Sequence, residues 1–95
     1  MDFQRLWMML NELAGQLGVE VRLEALAGGE DYEVRGGLCR VEDRLVAFVD
    51  RRLPPQARVR QLGRSLLGLD WEEIYLRPAL REFLEELRSA DTEME

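Results

Sequence analysis

The sequence predicts an α+β fold: an N-terminal helix, a small antiparallel sheet of about three strands with a hairpin, then two C-terminal helices joined by a short helical turn. Three observations predict it. Apolar residues recur at spacings of three and four from Phe3 to Leu17, the period changes to two from Val19, and two proline-opened stretches return to helical spacing after Leu53.

In the first segment Phe3, Leu6, Trp7, Leu10, Leu13, Ala14 and Leu17 form one stripe, with Asp2 placed to cap the helix and Gly18 to stop it. Val19, Val21, Leu23 and Ala25 then alternate with Glu20, Arg22 and Glu24, the pattern of a strand with one wet face. Gly28 to Asp31 reads as a turn. Tyr32 to Arg35 reads as a brief pairing segment before Gly36 and Gly37, which permit a bend. Leu38 to Val41 and Leu45 to Asp50 flank a polar link, Glu42, Asp43 and Arg44, and make a hairpin. The second arm is continuously apolar from Leu45 to Val49, as a central strand covered on both faces would be.

Pro54 and Pro55 suit a helix start because the first turn needs no N–H donor, and Val59, Leu62, Leu66 and Leu69 mark the inner stripe up to Gly68. Asp70 and Glu73 have capping-box spacing around a helical turn, Trp71 to Tyr75, that carries Ile74 inward. Arg77 is held out of helical angles by Pro78, which opens the last helix with its stripe of Ala79, Leu80, Phe83, Leu84 and Leu87. Arg81 and Glu85 are spaced to pair along it. Residues 1–90 thus read as one domain and 91–95 as a frayed acidic tail.

Composition narrows the function classes. In 95 residues, 46% hydrophobic and 34% charged, there is apolar surface for one core and charge to keep it soluble. The N-terminus does not read as a signal peptide, and no apolar run approaches the roughly 20 residues that span a bilayer. Cys39 stands alone, so an internal disulfide is excluded and a reducing cytoplasm is the fitting compartment. All 13 basic residues are Arg and there is no His, which removes the commonest general base and zinc ligand. No metal cluster, activated nucleophile or phosphate-binding glycine motif is present, so the sequence predicts neither a catalytic site nor a cofactor.

The register of Leu17, Gly18 and Val19 into the first strand, Gly36 and Gly37 before the hairpin, and Phe48, Val49, Asp50 and Leu53 leading into a helix resembles the N-terminal half of the ImmA/IrrE-type zinc peptidase domain. The resemblance covers roughly the first two-thirds of the chain; in that family this helix carries H-E-x-x-H, in which two His hold zinc and Glu activates water. Here the nearest register is Arg64, Ser65, Leu66, Leu67, Gly68, so ligands and base are missing and zinc hydrolysis is not implied. The pattern through Ile74, Tyr75, Leu76, Arg77, Pro78 and Arg81 also resembles a set of small uncharacterised bacterial proteins, which implies no activity.

The sharpest charge asymmetry is Arg51, Arg52, Arg58, Arg60 and Arg64, with no acid before Leu69. Against a net charge of −6, these five leave −11 on the rest of the chain. Such a stripe is either a solvated helix face or a phosphate-binding one. A pI near 4.7 and the lack of interleaved aromatics disfavour nucleic acid, which stays the alternative together with phosphate ligands. From Asp70 onward nine acids face three Arg, so the basic and acidic helices are expected to lie side by side in one domain or to meet across the axis of a homodimer. A non-catalytic, self-associating interaction domain is the leading reading.

Arg40, Tyr75, Arg77 and Arg81, with Arg60 and Arg64, are the candidate ligand or partner residues, because guanidinium groups suit carboxylates and phosphates. Met8 and Met9 either widen the first helix's apolar face into a sticky surface or belong to the core. Trp7 reads as core, and Trp71 as a partner anchor or a cover for the sheet. Cys39 reads as a buried structural thiol, Ser65 lacks a base, and Glu72, Glu73 and Glu82 read as surface or capping carboxylates.

Overall fold

The computed structural model describes residues 2–25 and 37–93. The order is α1 (Phe3–Gln16), β1 (Val19–Glu24), β2 (Leu38–Val41), β3 (Arg44–Asp50), α2 (Pro55–Leu67) and α3 (Pro78–Glu93). The α+β class and the succession of elements are as the sequence predicts. The turn expected at Gly28 to Asp31, the pairing segment Tyr32 to Arg35 and Gly36 lie outside the described residues, as do 94 and 95.

The helix boundaries follow the local chemistry. Asp2 caps α1 by accepting from the Gln4 and Arg5 N–H groups at 3.0 and 3.2 Å, and Gly18, at φ +77°, turns the chain into β1. Pro54 is the N-cap of α2 and Pro55 its first residue, while Gly68 ends it. Between α2 and α3 the Ile74 N–H donates to the Trp71 carbonyl at 3.2 Å, closing a single turn rather than a helix. The α3 backbone continues past the expected boundary at 90 to Glu93, since no Pro or Gly follows Pro78 to break it.

The sheet corrects one expectation. It is mixed, in the order β1-β3-β2, with β1 parallel to β3 and β2 antiparallel to it, instead of wholly antiparallel. The reason is β3 itself: Leu45 to Val49 is apolar on both faces, whereas β2 is four residues long and carries Arg40, so only β3 suits the centre. The hairpin then places β2 on one side of β3 and leaves the other side to β1. Its loop is tighter than expected, because Arg44 pairs with Val41 and only Glu42 and Asp43 turn, at φ 50° and 69°. Positive φ at both positions marks a type I′ turn.

One face of the sheet holds the core. Residues in register share a face, so Val19, Val21 and Leu23 lie with Leu45, Ala47 and Val49, and with Leu38 and Arg40 of β2. Helix α1 packs on β1, α2 on β3, and α3 against both helices. Leu10, Leu13, Ala47, Val49, Leu62, Leu66 and Leu84 meet at the centre with almost no exposure. Cys39 is exposed, not buried as expected, because it sits on an edge strand and pairs with Val46 on the face away from the helices.

Candidate functional site

Two of the candidate residues come together. Tyr75 and Arg77 belong to the segment that leads into α3, and with Pro78 fixing the bend this segment runs beside α1. Met9, Glu12, Leu13, Gln16, Tyr75, Leu76, Arg77 and Leu80 enclose a depression of about 280 Å³. A neighbouring one of about 390 Å³ shares Met9 and Arg77 and extends to Asp2, Arg5, Leu6, Pro78 and Ala79. The result is a groove along α1 with an apolar floor, charged rims and Arg77 between its two halves. Tyr75 stands at the rim with 84% of its surface exposed. Met9 lies in the core beneath the groove, whereas Met8 is exposed, so the methionine pair divides between the two roles considered for it.

Arg81 is held elsewhere. Its guanidinium lies 5.8 Å from the Trp71 ring centroid, and it pairs with Glu85 at 3.7 Å as the spacing predicts. Arg88 covers the same indole at 4.8 Å and reaches Glu72 at 3.2 Å. Trp71, 1% exposed, belongs to the hydrophobic core. It closes the end of the helical core, with its indole N–H donating to the Leu67 carbonyl at 3.4 Å. Neither Arg88 nor this sandwich was singled out by sequence reasoning. The available signal was the i, i+7 spacing of Arg81 and Arg88, which puts both on one side of α3.

The basic stripe divides into structural and exposed members. Asp50 holds Arg52 through its backbone N–H at 3.0 Å and its guanidinium at 3.0 Å. The same carboxylate raises the Arg52 pKa above its ordinary value, by hydrogen bond first and charge second. Arg58 donates to the Leu53 carbonyl at 2.9 Å and to the Arg51 carbonyl, fastening the loop between β3 and α2. Gln61 accepts the Asp50 N–H at 2.8 Å across that junction, a tie invisible in the linear pattern. Arg60 and Arg64 are exposed on α2, and Arg64 lies in the last turn, where a cation opposes the helix dipole. Helices α2 and α3 are packed neighbours, so the segments that carry the basic and the acidic residues are adjacent within one chain.

Arg40 is exposed on edge strand β2, on the helix-bearing side of the sheet by its register with Leu45. The arginine and tyrosine candidates thus resolve into a groove pair, a tryptophan clamp, an α2 pair and an isolated edge residue. Ser65 is buried and donates to the Gln61 carbonyl at 3.1 Å, one turn back. Among the described residues no group of three or more Cys, Asp or Glu is placed to hold a metal ion, and no helix is long and apolar enough to cross a membrane. No protein-family model, curated protein or solved structure matches the chain.

Proposed function

We propose that this chain is a non-catalytic interaction domain that associates with a second copy of itself. The observation that carries the reading is the outer edge of β1. No strand among the described residues pairs with it, and Leu23 beside it is 41% exposed. A strand edge that no described strand pairs, with an exposed aliphatic residue beside it, is a template for further pairing. The arginines support the same reading from the other side, since Arg52, Arg58, Arg81 and Arg88 have structural partners. Arg60 and Arg64, both exposed on α2, make too short a track for a polyanion.

The rest of the proposal follows from chemistry already described. The lone thiol suits the cytoplasm. The succession of α1, β1, a hairpin and α2, with β3 delivering the chain to α2, supports common ancestry with the ImmA/IrrE-type domain in a form without its zinc ligands. Sedimentation velocity over a hundredfold range of protein concentration tests self-association. A sedimentation coefficient that rises with concentration is the expected result, and a strict monomer throughout overturns it.

A further inference from the structure

We propose that two copies of this chain pair through the outer edge of β1, antiparallel about a two-fold axis at Val21, joining their three-stranded sheets into one. This rests on the self-association reading and specifies its surface and register.

The backbone shows which β1 residues face outward. The Arg51 N–H donates to the Glu24 carbonyl at 3.0 Å, and Glu24 is in register with Asp50. In a parallel pair, alternate residues bond toward the neighbour, so Glu20, Arg22 and Glu24 turn their N–H and C=O groups to β3. Val19, Val21 and Leu23 turn theirs outward. The other side of β3 obeys the same alternation, with the Phe48 N–H donating to the Gly37 carbonyl at 2.8 Å. An antiparallel two-fold partner forms hydrogen-bonded pairs directly across the axis only where the central residue faces outward. A two-fold at Val21 sets a hydrogen-bonded pair across the axis and one at Arg22 a non-hydrogen-bonded pair; each pairs five of the six β1 residues, and the side chains favour the Val21 centre. Val21 then lies opposite Val21 of the second copy, and Val19 opposite Leu23.

The side chains agree with that centre. On the wet face it sets Glu20 against Arg22 of the second copy, and Arg22 against its Glu20. Shifting the axis one residue, to Arg22, opposes Glu20 to Glu24 and is repulsive. Charged residues on edge strands usually discourage pairing. Here the order Glu, Arg, Glu discourages the slipped register and accepts the centred one. Arg22 and Glu20 already pair at 2.7 Å within the strand, and both are partly exposed, so exchanging partners across the axis requires no new burial of charge. On the opposite face Leu23, 41% exposed, gains Val19 of the second copy as a further apolar neighbour.

The test is sedimentation equilibrium on the full chain and three variants, with circular dichroism to confirm that each is folded. Glu20→Arg faces Arg22 of the second copy with a like charge at both symmetric positions and should weaken the dimer about tenfold or more. Glu20→Arg with Arg22→Glu restores opposite charges and should recover most of that loss. Val21→Pro removes an outward donor and no donor to β3, and should abolish dimerisation. A dimer indifferent to Glu20→Arg and to Val21→Pro overturns the edge while leaving self-association standing, and its loss on Tyr75→Ala would move the contact to the α1 groove. Failure of the double variant to recover overturns the register. A wild-type chain that is monomeric at every concentration overturns both proposals.

Discussion

Gly63 of α2 lies so close to Leu87 of α3 that a Cβ on the glycine would stand 2.5 Å from the Leu87 Cδ1, and 3.1 Å from Cε2 of Phe83. Both neighbours are buried, so neither side chain has space to retreat. The contact explains how a helix with a glycine in its interior is retained: the close approach of α2 and α3 offsets the roughly 1 kcal/mol of helix propensity that glycine costs.

That relationship predicts opposite signs for two identical substitutions. Gly15→Ala, in α1 with nothing within 4 Å of the added carbon, should raise stability by up to about 1 kcal/mol. Gly63→Ala gains the same propensity but overpacks the α2–α3 contact, which typically costs about 1–3 kcal/mol, so it should lower stability by about 1 kcal/mol. Urea denaturation of both variants reads the difference. Two equal stabilisations would mean that α2 and α3 are not packed this closely.

The hairpin turn is a second place where the chain adopts a conformation its residues disfavour. Glu42 and Asp43 both have positive φ, a region that glycine and asparagine enter more readily. Replacing them by Glu42→Asn and Asp43→Gly keeps the turn type and should add about 0.5–1 kcal/mol of stability. An unchanged or lower thermal midpoint would argue against a two-residue type I′ turn.

Much of the fold is legible in the linear pattern because helix period, proline placement and capping are local. Asp2, Gly18, Pro55 and Gly68 mark boundaries that the structure keeps. The order of strands was less accessible. Consecutive strands invite an antiparallel meander, and only the double-sided apolar character of β3 against the polar, four-residue β2 argues for β3 at the centre. The groove was half legible: Arg77 and Tyr75 stood out beside Pro78, but that α1 forms the facing wall depends on tertiary packing. The contact between Arg81 and Trp71 was not legible, because the two lie ten positions apart in the chain and meet only through tertiary packing.

The Trp71 clamp separates burial from charge. Trp71→Ala removes the large side chain that closes the helical core and should cost about 3–5 kcal/mol. Arg88→Ala removes a cation over the indole and a solvent-exposed pair with Glu72, each contributing about 1 kcal/mol or less. Chemical denaturation should therefore rank the two far apart. Near-equal losses would indicate that Arg88 carries a buried role the exposed geometry does not suggest.

Cys39 gives a direct test of the corrected sheet. Exposed on β2, it should react with a thiol reagent in the native state at a rate close to that of a free thiol, without prior unfolding. It should also stay reactive in the proposed dimer, since β2 is the edge far from β1. Protection under native conditions would mean that β2 is covered, and protection appearing only with association would move the dimer contact from β1 to β2.

Salt distinguishes the β1 edge from the contact that charge alone suggests. If the arginines of 51–64 met the acidic C-terminal region of another copy, association would rest on many exposed charge pairs, and screening at high salt would dissolve it. Helices α2 and α3 are already packed neighbours within each copy. At the β1 edge, backbone hydrogen bonds and Val21 packing dominate, and the Glu20–Arg22 pairs are exposed and individually weak. Screening also relieves repulsion between two chains that each carry −6, opposing the small loss from those pairs. The dissociation constant should therefore change by about threefold or less between low and high salt. A dimer that collapses at high salt would instead place the contact on the arginine face of α2.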